Sequence, residues 1–180
     1  MEEAIEDYNK ALELSPGHLD TRYYLADVYM SQGNGNAAIE QYKMIVSALP
    51  DDSQGYTQLA QAYNQLGRHE RAIEAYEQAL SLTPNSPHIY ANLGQSYYLI
   101  RNYEQADQTL QYALDLDPDY ALAQYNLAVS LAEQRQIDRA VQYLELALYN
   151  DANLMQIART NPVFASLSDH PGFSRLLNLA

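Results

Sequence analysis

A period of 34 residues runs through most of the chain and constrains its fold more than any other feature. Prolines recur at this step, at Pro16, Pro50, Pro84 and Pro118. Small residues follow the same step at Ala4, Ala38, Ala72, Ala106 and Ala140, and bulky ones at Tyr8, Tyr42, Tyr76, Leu110 and Leu144. A sequence with a fixed period of this kind builds its core by stacking similar units along the chain. The fold is therefore predicted to be a repeat array.

Each unit carries two stretches with helical spacing. In the second unit the first set is Leu59, Ala60 and Tyr63, and the other is Ala72, Tyr76 and Ala79. Spacings of three and four residues place such side chains on one face of a helix. Glycine or polar residues separate the two stretches, as at Gly67-Arg68, and a proline such as Pro84 ends the second because it cannot continue a helix. Each unit is predicted to be a helix–turn–helix hairpin.

These residues resemble the tetratricopeptide repeat family. The resemblance is carried by Tyr-x-Gln-Leu-Ala-x-x-Tyr at 56–63, by Ala-Ile-Glu-Ala-Tyr-x-x-Ala-Leu at 72–80 and by Tyr-x-Asn-Leu-Gly-x-x-Tyr at 90–97. It covers about residues 2–152 as a half repeat and four full repeats, at 2–16, 19–52, 53–86, 87–120 and 121–154. It implies an all-α, right-handed superhelical solenoid of antiparallel helix hairpins over residues 1–154.

Residues 155–180 leave the period, and the fourth repeat before them lacks the proline, with Ala152 in its place. Asn161-Pro162 and His170-Pro171 predict the starts of two short helices, since proline is favoured in the first turn. Their apolar stripes are Val163, Phe164 and Leu167, and Phe173, Leu176, Leu177 and Leu179. We expect both helices to cap the open apolar face of the last repeat. A tail that docks on a membrane or a partner is the alternative.

Residues 2–14 have the pattern of a second helix whose first helix is missing. Ile5, Tyr8 and Leu12 are expected to pack on the first full repeat. Three explanations stay open. In the first, which we favour because the repeats of this family come whole, the sequence is part of a longer chain and the missing helix lies upstream. In the second, the helix serves as a plain cap. In the third, it pairs with a neighbouring molecule and forms a homo-oligomer.

The composition excludes several classes of protein. Without Cys, the chain has no disulfide framework and no thiolate site. Its formal net charge of −13 opposes binding to nucleic acid or to an anionic membrane, since both need a basic face. No apolar run approaches the roughly 20 residues of a spanning helix, and the acidic start is not a signal peptide. We expect a cytoplasmic protein or the soluble part of a membrane-associated one, and the scarcity of Lys favours a bacterial source.

No pattern predicts catalysis, a metal site or a cofactor. The four histidines, His18, His69, His88 and His170, lie outside metal-ligand spacing. Gly33-Asn34-Gly35 lacks the Lys-Ser/Thr of a phosphate loop, and no serine lies in a nucleophile elbow. Asp51-Asp52 lies at a repeat junction, where solvation and helix N-terminal charge explain paired carboxylates. We expect no enzymatic activity.

The resemblance implies that the first helix of each repeat lines a concave groove. The residues assigned to this peptide-binding groove are Tyr23, Tyr24, Asp27, Gln58, Gln61, His88, Asn92, Gln95, Tyr98, Tyr125 and Asn126. Chaperone-binding members of the family clamp a C-terminal carboxylate with Lys, Asn and Arg. The corresponding residues here are Tyr23, Asp27, Gln58, His88 and Asn92. Because none of them is Lys or Arg, a chaperone tail is not expected as the partner.

Amide side chains recur in one groove column, at Gln58, Asn92 and Asn126. Each amide carries a donor and an acceptor, so a ladder of them can pair with the backbone of an extended peptide. The alternative is that each amide bonds its own or a neighbouring helix. Tyr98 and Tyr125 supply apolar area to a partner or pack between repeats.

The first 52 residues hold ten acidic and three basic side chains. This charge either favours a neutral to basic partner or serves solubility alone.

The sequence therefore predicts a non-enzymatic protein-interaction module, an adaptor or assembly scaffold that binds an extended peptide or helix in its groove. Two alternatives stay open: a self-associating structural scaffold, and a fragment of a larger enzyme or of a membrane-anchored complex-assembly factor. Eight of the 17 tyrosines occupy repeat columns and are assigned to packing rather than to binding.

Overall fold

A computed structural model describes residues 2–177, and all regular structure within that range is helical. The twelve helices of this range are α1 (Glu2–Leu14), α2 (Leu19–Ser31), α3 (Gly35–Ala48), α4 (Ser53–Gln65), α5 (His69–Leu82), α6 (Pro87–Leu99), α7 (Tyr103–Leu116), α8 (Ala121–Glu133), α9 (Ile137–Asn150), α10 (Leu154–Thr160), α11 (Pro162–Ala165) and α12 (Pro171–Leu177). None of these helices is both long and apolar enough to cross a membrane. Leu179, which the sequence assigns to the last apolar stripe, lies outside the described residues.

The chain divides into two compact units, Met1–Pro84 and Asn85–Ala180. In the first unit α2 pairs with α3 and α4 with α5, while α1 contacts α2 and α3 contacts α4. In the second unit α6 pairs with α7 and α8 with α9, and α8 also contacts α6 and α7. Each unit is therefore built from the hairpins that the 34-residue period predicts.

The core of each hairpin combines small residues with bulky ones. Members of these columns that are at most 1 % exposed include Ala26, Ala38, Ala60, Ala72, Tyr42, Tyr76, Leu110 and Leu144. Gly94 on α6 shows how closely two paired helices approach. A Cβ atom at Gly94 would lie 2.5 Å from Leu110 Cγ and 3.3 Å from the backbone oxygen of Ala106. Because protein interiors are packed as densely as organic crystals, this contact excludes a larger residue.

We predict that Gly94→Ala destabilises the second unit by about 1–3 kcal/mol, despite the better helix propensity of Ala. The added methyl group has to displace Leu110, which is fully buried. Urea denaturation followed by circular dichroism measures the change. Gly17→Ala is the matched control, because a Cβ at Gly17 meets no atom within 4 Å. Equal stability of the two variants would contradict this account of the hairpin.

The turn inside each hairpin uses a left-handed residue at the same repeat position. These residues are Gly33 (φ 74°), Gly67 (φ 70°), Arg101 (φ 61°) and Arg135 (φ 61°), each 34 positions after the last. In the third hairpin the Arg101 N–H donates to Tyr98 O (2.8 Å) and the Asn102 N–H to Tyr97 O (2.9 Å). These bonds satisfy carbonyl groups at the end of α6. Glycine suits this conformation, whereas the Cβ of an arginine is strained in it.

Arg101→Gly is predicted to stabilise the protein by about 1 kcal/mol, because glycine removes the left-handed strain at this turn. Arg101→Ala keeps a Cβ and loses only the charged side chain, so we expect its free energy of unfolding to stay within about 0.5 kcal/mol of the wild type. Chemical denaturation of the three proteins side by side measures both values. A stabilisation shared by the Ala variant would point to charge instead of backbone strain.

The C-terminal helices begin where the sequence places them, with α11 at Pro162 and α12 at Pro171. Helix α10 is not predicted by the sequence analysis. The feature that indicates it is the helical spacing of four positions between its buried residues, Leu154 and Ala158. Helix α11 packs on α8, and α12 packs on α9. The rings of Phe164 and Phe173 are fully buried and stack with centroids 5.2 Å apart. The two helices thus add their aromatic residues to the core of the last hairpin.

Candidate functional site

In the first unit, two of the residues predicted for the groove form hydrogen bonds with other helices or their caps. The Tyr23 hydroxyl donates to Asp52 Oδ2 (2.5 Å), and the Tyr42 hydroxyl donates to Asp27 Oδ1 (2.8 Å). The pKa of both tyrosines is raised well above the ordinary value of 10.0. The larger cause is burial, and the second is the hydrogen bond of each hydroxyl to a carboxylate. Tyr23 and Asp27 therefore connect helices α2, α3 and α4.

The other predicted residues of this unit keep exposed surface. Tyr24 is 58 % exposed, although its ring stacks on Tyr8 of α1 with centroids 6.1 Å apart. Gln58 and Gln61 are half-buried on α4. These side chains offer one aromatic face and two amides to a ligand.

In the second unit, helices α6, α8 and α11 line an open pocket of about 210 Å³. Its lining comprises Gln95, Tyr98, Tyr125, Asn126, Val129, Asn161, Pro162 and Val163. The first four of these were assigned to the groove from the sequence. Val129 lies 34 positions after Gln95, so the repeat places it in the same column of the first-helix face. The three residues of the α10–α11 turn and α11 lie outside the period, so the repeat pattern gave no sign of them.

Tyr125 forms a buried wall of the pocket and is only 6 % exposed. Its hydroxyl oxygen accepts a hydrogen bond from Asn161 Nδ2 (2.9 Å), and its ring meets Phe164 edge-on at 5.9 Å. Burial raises the pKa of Tyr125, and the donor on Asn161 lowers it in part. The Asn161 Oδ1 atom also accepts from the Val163 N–H (2.9 Å), which caps α11. One asparagine thereby fixes α11 against α8.

Two asparagines of the amide column are already hydrogen-bonded within the unit. Asn126 is buried and its Nδ2 donates to Ala91 O at 3.4 Å, while Asn92 Nδ2 donates to His88 O at 2.8 Å. The bonds of these two Nδ2 groups are of the kind that the second alternative describes, in which an amide bonds its own or a neighbouring helix. Gln95 differs, because it is exposed at the rim and its side chain forms no hydrogen bond with any described residue.

The pocket has no formally charged residue in its lining. Tyr98 is half-buried, and burial followed by the negative charge of Glu133 raises its pKa to about 12. Its hydroxyl therefore remains a neutral donor at physiological pH. The lining offers hydrogen bonds and apolar contact, and it holds no His, Asp, Glu or Ser side chain for acid–base or nucleophilic chemistry. Across residues 2–177 no group of three His, Asp or Glu side chains is placed to hold a metal ion.

The bond between Asn161 and Tyr125 is predicted to hold α11 in place. Asn161→Ala should lower the free energy of unfolding by about 1–3 kcal/mol, because it removes the cap of α11 and leaves a buried hydroxyl without its donor. With Tyr125→Phe and the double variant, a thermodynamic cycle from urea denaturation isolates the bond. We expect a coupling of about 1 kcal/mol. A coupling near zero would show that α11 is held by the phenylalanine contacts alone.

Models of the tetratricopeptide repeat match the sequence over residues 1–62, 60–100 and 91–154. The matches together extend from residue 1 to residue 154, and the hairpins described above have the order that the family requires. The chain belongs to the tetratricopeptide repeat family. The resemblance stated from the sequence and the all-α repeat fold that it implies are both confirmed.

Solved structures share the fold at low sequence identity. MamA is 24 % identical with a TM-score of 0.73, over 84 % of this chain and 89 % of that one. TTC0263, a TPR protein from Thermus thermophilus, is 23 % identical with a TM-score of 0.74, over 91 % and 88 % of the two chains. YrrB, described as a TPR protein with an unusual peptide-binding site, is 16 % identical with a TM-score of 0.66, over 97 % and 90 %. No curated protein matches the sequence.

Proposed function

We propose that this chain is a non-enzymatic protein-interaction module and that the first-helix face of its second unit binds an extended segment of a partner protein. The observation that carries the proposal is the pocket on this face. Four residues assigned to the groove from repeat positions alone, Gln95, Tyr98, Tyr125 and Asn126, lie around it. Concave pockets with apolar walls and a few polar groups are the usual form of a binding site.

The surface beside the pocket extends along α6. His88, Asn92 and Gln95 are spaced by four and three residues, so they share one face of the helix. An extended segment lying along this face meets an imidazole and two amides before it reaches the pocket. The similarity to YrrB in fold, together with the peptide-binding site described for that protein, supports a peptide as the ligand.

The charge of the unit favours a neutral to basic segment. Residues 85–180 contain ten acidic and five basic side chains, which attract basic ligands over a distance of about one Debye length. The pocket itself offers no Lys or Arg for a carboxylate. We infer that the partner is a neutral to basic protein segment, and that C-terminal carboxylate tails are poor ligands.

In this proposal residues 155–177 have two roles. They cap the last repeat through Phe164 and Phe173, and they supply the outer wall of the pocket through Pro162 and Val163. A repeat array without its cap exposes apolar surface at its end. The same segment therefore protects the core and shapes the binding site.

Selection from a random peptide library on the purified protein tests the proposal. We predict that Gln95→Arg weakens binding of the selected peptides by about tenfold or more, since a longer, charged side chain covers the mouth of the pocket and repels basic ligands. Isothermal titration calorimetry measures the affinities.

Gln105→Arg is the matched control. Gln105 is exposed on α7 of the same unit and does not line the pocket, so this variant adds an equal charge elsewhere. The proposal fails if both variants lose affinity equally, or if Gln95→Arg binds as tightly as the wild type.

A further inference from the structure

The pocket is large enough for one side chain of a partner. We infer that it takes a single uncharged side chain of Leu, Met or Phe size from the bound segment; this inference rests on the proposed function. A cavity of about 150 Å³ lined by apolar side chains admits benzene. The pocket measures about 210 Å³, so a phenyl ring or a branched aliphatic group fills it. An aromatic or aliphatic side chain held in a pocket commonly forms the centre of a binding interface.

The lining selects against charge. None of its eight residues is formally charged, and Tyr125, Asn126 and Val129 are each 6 % exposed. A carboxylate or ammonium group entering the pocket would lose water and find no opposite charge in the lining, which is costly. The Tyr125 hydroxyl oxygen already accepts from Asn161, and the Asn126 Nδ2 group already donates to Ala91 O. The buried part of the pocket therefore offers apolar surface and a few neutral polar groups, without a charge.

Gln95 at the rim provides the contact with the backbone of the ligand. Its amide has no hydrogen-bond partner among the described residues, and Gln95 lines the pocket together with the half-buried Tyr98. An amide donates and accepts at once, so it can pair with the peptide N–H and C=O groups that flank an inserted side chain. The anchor and its flanking peptide bonds are thus recognised together.

Val163 sets the size of the anchor. It lies on α11, is half-buried, and belongs to the segment outside the 34-residue period. The selectivity of the pocket for the size of the inserted side chain then comes from the wall formed by α11, which the repeat pattern does not predict. Filling the pocket from this position should exclude large side chains, and enlarging it should favour the largest.

The test uses single-residue probes, the N-acetyl N-methylamides of Leu, Met, Phe, Ala, Asp and Lys, titrated into the ¹⁵N-labelled full chain. We expect the Leu, Met and Phe probes to shift the amide resonances of Gln95, Tyr98, Val129 and Val163, with dissociation constants of about 1 mM. The Ala, Asp and Lys probes should bind at least about tenfold more weakly. This comparison is made on the wild type and needs no variant.

Variants at Val163 test the assignment of size selection. Val163→Phe should weaken the Leu, Met and Phe probes by about fivefold or more, and Val163→Ala should shift preference from Leu towards Phe by about threefold. Ala165→Phe is the control, because Ala165 is exposed on the same helix and does not line the pocket.

Equal binding of the Asp and Leu probes, or shifts that avoid the pocket resonances, would overturn the inference. Peptides selected from a library that require Gln95 but share no Leu, Met or Phe would leave the proposed function standing and reject the anchor. Probe binding in the pocket without any peptide binding would reject the proposed function and retain the uncharged-group site.

Discussion

The close approach of two helices within each hairpin is the contact on which the rest of the structure depends. In the hairpin of α6 and α7, a Cβ added at Gly94 would lie 2.5 Å from Leu110 Cγ; the other hairpins carry Ala26, Ala60 and Ala128 at this step of the repeat. When a helix is fixed this tightly at one residue, the residues next to it are held in place as well. Gln95 and Tyr98, one and four positions after Gly94, therefore present their side chains in a defined place.

Tyrosine has two structural uses in this protein. Tyr42 fills its hairpin core and places its hydroxyl on Asp27, so the ring supplies apolar area while the polar tip keeps a partner. Tyr125 is also buried, but its partner is Asn161, which lies 36 positions away and outside the repeats. The same residue type thus closes an ordinary hairpin in one unit and shapes a pocket in the other.

The repeat pattern predicts the hairpins, their turns and part of the candidate site. Gln95 and Tyr98 follow from their place in the unit, and the turn at Arg101 follows from its place in the same column as Gly33 and Gly67. The burial of Asn126 does not follow, because its amide could pair with a ligand or with its own unit. Only the position of Ala91 O in space selects the second arrangement.

The sequence by itself determined the all-α fold, because periods of 34 residues and of three to four residues are visible in the order of side chains alone. It also determined that Lys and Arg are absent from the assigned groove positions, since that is a matter of residue identity. The tertiary structure alone decided that a pocket exists. The residues of its outer wall, Pro162 and Val163, lie outside the 34-residue period. They reach α8 because the buried ring of Phe164 and the hydrogen bond between Asn161 and Tyr125 hold α11 against the last repeat.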